Sequence, residues 1–146
     1  MMFTMSNNGI DLLKELEGEK LNAYLCPAGI LTIGIGHTGE DVYEGKTITP
    51  EQSIQLLRSD IKYTENIVNK YIKANINQNQ FDALVSFAFN VGVGAFISST
   101  LLKKINSNKP IDEIESEFMK WVYIKGNKSN GLINRRKKEV ELYKRV

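Results

Sequence analysis

Three side chains in the first quarter of the chain have the types and spacing for acid–base chemistry. Glu17 is followed, after eight intervening residues, by Cys26, and after five more by Thr32. A carboxyl at the C-terminal end of a helix meets the negative end of the helix dipole, which would raise its pKa. A raised carboxyl pKa is what a general acid requires near neutral pH. A thiol is neutral at its ordinary pKa of about 8.5, so Cys26 contributes only if partly ionised. The competing reading takes Glu17 as one of four acids, with Asp11, Glu15 and Glu19, on a solvated first helix.

The next residues hold Gly34-Ile35-Gly36-His37-Thr38-Gly39, a literal G-x-G-x-x-G. A phosphate loop requires a helix opening at the glycines, with the phosphates on its N-terminus. The segment after Gly39, EDVYEGKTITPEQ, carries Glu40, Asp41 and Glu44 and has no helical periodicity before Pro50. Three carboxylates have the wrong sign for a phosphate site, so a dinucleotide is not expected. Gly34 and Gly36 read instead as small residues on a strand where a ligand or a facing backbone comes close. His37 is the only histidine and Cys26 the only cysteine. A Cys/His zinc cluster and an intramolecular disulfide are therefore excluded. No ligand spacing suggests a carboxylate metal site, and no cofactor is expected. His37, on a strand, reads as a hydrogen-bonded structural group.

The helices and strands that carry these residues can be read from patterning. Asn7 or Asn8 caps a helix whose apolar positions Ile10, Leu13 and Leu16 recur at three-residue spacing, and Gly18 closes it. Residues 21–47 mix β-branched and aromatic residues with Pro27 and glycines. They read as a small antiparallel sheet turning at Cys26-Pro27-Ala28-Gly29. Thr49-Pro50-Glu51-Gln52 is a strong helix start, and the helix runs to about Tyr71. Asn77–Gln80 repeats the capping logic before FDALVSFAFNVG, apolar nearly all round and so central to a helical lobe. Helices over 98–106, 112–123 and 132–145 complete an α+β, two-lobed architecture. Its expected parts are a sheet lobe over about 18–47, a connecting helix over about 50–72, and a helical lobe over about 76–146 that includes the N-terminal helix.

Composition bounds the function classes. The chain has 146 residues, 42% hydrophobic and 25% charged, the balance of one soluble domain with a core. No run approaches the roughly 20 apolar residues of a membrane span, and no secretory signal is visible at the N-terminus. Charge is uneven: residues 1–73 carry a net −3 and residues 74–146 a net +5. The basic half would suit a polyanion such as nucleic acid, a membrane surface or an anionic wall polymer. It would equally suit a solvated helix surface rich in lysine.

The stretch ELEGEKLNAYLCPAGILTIGIGHTG resembles the phage-type lysozyme or endolysin family, glycoside hydrolase family 24. That family's signature is Glu, eight residues, Asp or Cys, five residues, Thr, running into a T-I-G-x-G-H-T strand. The resemblance continues through ITPEQSIQLLRSDI, NQNQFDALVSFAFNVGVGAFISSTLL and GLINRRKKEVELY, from about Gly9 to Tyr143. It implies a two-lobed lysozyme-like fold and muramidase activity on the β-1,4 bond between N-acetylmuramic acid and N-acetylglucosamine. Glu17 would be the general acid. Cys26 stands where most members carry Asp, and would act as base on water or as nucleophile on the anomeric carbon. Thr32 would position the water or support the second group.

The resemblance also implies that Gly36, Phe89, Asn90 and Ser99 line a glycan cleft and that Arg135 pairs with Glu17. The other basic residues of INRRKKEVELY would then face the anionic wall. Trp121 and Phe118 read as core. The expected partner is bacterial peptidoglycan, with no nucleic acid and no stable membrane insertion, and the protein as a monomer. As an endolysin it would accumulate in the host cytoplasm and reach the wall through a holin-type pore. The rivals are a lysozyme-fold peptidoglycan-binding protein that has lost hydrolysis and a nucleic-acid binder using the basic C-terminal helix.

Overall fold

Local capping sets the helix starts. In the computed structural model, which describes residues 2–146, α1 covers Asn7–Glu17 and α2 Pro50–Tyr71. Before α2, Thr49 Oγ1 accepts from Gln52 N at 3.1 Å and Gln52 Oε1 accepts from Thr49 N at 2.9 Å. Asn77 and Gln80 make the same reciprocal pair, 2.8 Å each way, ahead of α3, Gln78–Val91. Both boxes satisfy amides that a helix N-terminus otherwise leaves bare. The helices α4 (Val93–Ile97), α5 (Thr100–Asn106), α6 (Ile111–Phe118) and α7 (Asn130–Tyr143) follow.

The chain groups into two compact units. One is Ile10–Tyr63 and holds the main sheet. Its strands β1 (Lys20–Leu25) and β2 (Leu31–Gly34) are antiparallel, with Tyr24 opposite Thr32, Leu25 opposite Leu31, and a bulge between Lys20 and Tyr24. The far edge of β1 pairs with the segment after the glycine loop: Ala23 N donates to Lys46 O and Ile48 N to Leu21 O, both at 2.9 Å. The connection is a three-residue hairpin. Gly29 N donates to Cys26 O at 2.8 Å and Cys26 N to Ile30 O at 3.0 Å, with Gly29 at φ +77. Proline second in the turn and a left-handed glycine after it suit this geometry.

The other unit is Thr64–Val146 with the N-terminal residues up to Gly9. Its core surrounds α3, where Phe81 through Ala88 are all buried. Phe87 meets Phe96, Phe118 and Trp121 edge-on, with centroids 6.4, 5.3 and 5.6 Å away. Patterning groups the whole N-terminal helix with this helical part, whereas Ile10–Glu17 belongs to the sheet unit. Two further elements differ from the sequence reading. The helix expected over 98–106 is α5, capped by Ser99, and the short α4 ahead of it has no counterpart in the sequence reading. The helix expected to reach residue 123 stops at Phe118, and Tyr123–Ile124 (β3) pairs with Asn127–Lys128 (β4). The tight turn puts Lys125 at φ +50 and Gly126 at φ +83, the positive pair a two-residue hairpin requires.

Candidate active site

Glu17 is the last residue of α1, and Gly18 ends the helix at φ +78 with its amide on Lys14 O at 2.9 Å. A left-handed glycine releases the chain into β1 at once, leaving the Glu17 residue exposed. Gly36, at φ +74, approaches this carboxyl: a β-carbon built on it would lie 3.6 Å from Glu17 Oε1. The loop carrying Gly36 is closed by two backbone hydrogen bonds between Ile33 and His37, 2.9 Å each. The glycine spacing of the G-x-G-x-x-G thus builds a tight turn beside a carboxyl.

Cys26 begins the hairpin turn and is half-buried. Its thiol is held below its ordinary pKa, chiefly by backbone hydrogen bonds at Ile30 and Ala28; burial opposes the shift, and the Thr32 hydroxyl adds to it. Turn amides aimed at sulfur stabilise the anion without a neighbouring cation. Thr32 is only 4% exposed, and its Oγ1 stands 2.9 Å from Ile30 O. A hydroxyl has one proton, so the Ile30 carbonyl and the sulfur compete for it. The neutral thiol leaves that proton on Ile30 O, and the thiolate attracts it.

Glu17, Cys26, Thr32 and Gly36 all belong to the sheet unit, whereas Phe89, Asn90, Ser99 and Arg135 belong to the helical unit. Ser99 is buried and committed to its helix: its hydroxyl accepts from Leu102 N at 3.1 Å and donates to Phe96 O at 2.7 Å. Phe89 is half-buried. Asn90 is exposed, and its Oδ1 accepts from Arg136 Nη2. Arg135 is 6% exposed and donates to Glu139 Oε2 at 3.1 Å and to Ser86 O at 3.0 Å.

The expectation that the remaining basic residues of α7 face outward fails at Arg136. It is 1% exposed, pairs with Glu139, donates to Trp121 O at 2.9 Å and lies over the Phe87 ring at 5.0 Å. The reason is Glu139, fully buried three and four residues on, which draws both guanidinium groups inward. That spacing is present in the sequence.

His37 is hydrogen-bonded at both ring nitrogens. Nδ1 meets Asp60 at 2.8 Å and Nε2 meets Asp41 at 2.9 Å. Sequence pattern does not single out either carboxylate as its partner, since Asp60 lies 23 residues away on a helix. Among the described residues no cluster of three or more His, Cys, Asp or Glu is placed to hold a metal ion, and no helix is long and apolar enough to cross a membrane.

A family model described as Phage lysozyme matches residues 14–139. The chain belongs to the phage lysozyme family. The endolysin of Salmonella phage P22 is 40% identical over 146 residues, covering 97% of this chain and 99% of that protein. The endolysin of Bacillus phage B103 is 42% identical over 95% of this chain, which spans 53% of that longer protein. The solved endolysin from Escherichia coli O157:H7 phage FAHEc1 superposes with a TM-score of 0.91 at 39% identity, covering 99% of this chain and 95% of that one. The chain is therefore a phage-type peptidoglycan hydrolase, a glycoside hydrolase with the lysozyme fold.

Proposed function

We propose that the enzyme hydrolyses the β-1,4 bond between N-acetylmuramic acid and N-acetylglucosamine, with Glu17 as general acid and Cys26 as general base. The observation that carries this is the thiol at the hairpin turn, its anion favoured by the Ile30 and Ala28 backbone and faced by the Thr32 hydroxyl. Hydrogen bonds to the anion are what would let a thiol serve as a base without a histidine partner. Glu17 gives its proton to the glycosidic oxygen as the bond breaks and positive charge builds on the anomeric carbon. Water attacks the opposite face and passes its proton to the Cys26 sulfur; the thiol then releases that proton to solvent and Glu17 takes one up, which restores both groups. Thr32, by turning its one proton toward the sulfur, steadies the anion before attack.

Gly36 leaves room beside Glu17 for the sugar. Of the four helical-unit residues proposed as further glycan contacts, Asn90 has the exposed carboxamide best able to meet a sugar. Phe89 would offer an apolar edge, and the buried Ser99 and Arg135 would order the segments that do. The enzyme acts as a monomer on the wall and is released to it through a holin-type pore after accumulating in the host cytoplasm.

Purified peptidoglycan tests the reading. Wild type should generate new reducing ends, and Glu17→Gln should generate none while still sedimenting with the wall. Wall binding without reducing ends from wild type would instead mark a binding protein. The anomer released first, followed by NMR, should be inverted; a retained product would make Cys26 a nucleophile and overturn the base assignment.

A further inference from the structure

The two carboxylates on His37 impose a protonation state. Nδ1 lies 3.0 and 2.8 Å from the two oxygens of Asp60, and Nε2 lies 3.0 and 2.9 Å from those of Asp41. A neutral imidazole has one N–H, so it can serve one carboxylate only by turning a lone pair on the other. The imidazolium serves both. Burial opposes the charge, but the hydrogen bonds and charges of Asp60 and Asp41 outweigh it and raise the His37 pKa. Other charged groups at the cluster include Lys46, whose Nζ donates to Asp41 O at 2.7 Å, and Glu17 of α1 against the adjoining Gly36.

This bridge acts on one loop. Ile33 and His37 close Gly34-Ile35-Gly36 with their paired backbone bonds, and both glycines hold positive φ. The imidazole at the base of the loop ties it to α2 through Asp60 and to the following turn through Asp41. Asp41 is the looser tie, its side chain 50% exposed against 26% for Asp60. When the ring loses a proton, the remaining N–H therefore stays with Asp60 and the Asp41 contact opens.

We infer that His37 is a positioning residue for the hydrolysis: bridging Asp41 and Asp60, it holds the Gly36 loop against the Glu17 carboxyl, and the loop loosens when the ring deprotonates. The inference rests on Glu17 as the acid.

Asp41→Asn is the informative variant. A carboxamide can accept from the protonated Nε2 or donate to the bare one, so the bridge survives on either side of the titration. The kcat ratio of Asp41→Asn to wild type cancels the ionisation of Glu17 common to both. It should sit near one below the His37 titration and rise about threefold to tenfold above it, the weight of one hydrogen bond, with KM little changed. In wild type the Gly36 amide resonance should follow the His37 ring titration, and in Asp41→Asn it should not. A ratio that stays flat through the titration, or a Gly36 resonance indifferent to it, overturns the inference. The NMR readout needs no catalysis, so an active Glu17→Gln enzyme would sink the acid assignment separately.

Discussion

Glu139→Ala should be among the most destabilising single changes in the helical unit. Glu139 is fully buried and accepts from Ser86 Oγ at 2.6 Å, Arg135 Nε at 3.1 Å and Arg136 Nη1. Its removal leaves the Arg136 guanidinium, 1% exposed, without the carboxylate that offsets its desolvation, and takes one partner from Arg135. The Trp121 carbonyl and the Asn90 carboxamide, which also accept from Arg136, are neutral. Breaking a buried ion pair from one side costs about 3–5 kcal/mol. An unfolding entropy of about 2.1 cal/mol/K per residue gives about 0.3 kcal/mol/K for this chain, so Tm should fall by about 10–16 °C. Thermal unfolding followed by circular dichroism, with calorimetry to check two-state behaviour, measures it. Glu139→Gln, which keeps an acceptor oxygen and loses the charge, should fall between. A Tm drop under about 3 °C for Glu139→Ala, about 1 kcal/mol on the same scale, would show that the cluster is not held by its carboxylate.

Other expectations concern the sheet unit. Cys26→Asp should keep substantial muramidase activity, since a carboxylate can accept the same turn hydrogen bonds; a folded but inactive variant would sink the general-base role. Thr32→Val removes a hydroxyl that lowers the thiol pKa, so the pH midpoint of Cys26 alkylation should rise relative to wild type, and an unchanged midpoint would refute the contact. His37 has a folded pKa above its unfolded value of about 6.5. Its contribution to stability is fully present below about pH 6.5 and is lost as pH rises through the folded value. The stability gap between wild type and His37→Gln should therefore narrow with rising pH, and a widening gap would reverse the argument. Gly36→Ala, strained at φ +74 and placing a methyl 3.6 Å from Glu17 Oε1, should lose about 1–2 kcal/mol and a larger share of kcat than stability alone explains. Full activity in urea-stable protein would mean the carboxyl does not use that space.

How much the sequence discloses depends on the range of the interaction. The capping boxes at Thr49 and Asn77 and the Cys26–Gly29 turn are written in residues three or four apart, and each lies where the pattern puts it. The β3–β4 hairpin escapes because Trp121 and Val122 continue an apolar pattern after α6, while the turn depends on Lys125 accepting positive φ. Lysine does not announce that conformation. Helix α4 escapes for a related reason: Gly92 and Gly94 flank Val93 and have the look of a loop, yet a five-residue helix forms there.

The candidate site divides the same way. Spacing carries Glu17, Cys26 and Thr32, but not the distance that brings Gly36 to the carboxyl or the turn amides that lower the thiol. Both arise from chain reversal, which periodicity does not encode. Charge is the weakest guide. The basic run of α7 has the sign expected of a wall-facing surface, yet Arg136 is buried because Glu139 lies one helical turn on. Net charge fixes what a surface would attract only after the buried pairs are subtracted. Here the subtraction removes Arg135 and Arg136 from the outer face and leaves its positive charge to the lysines.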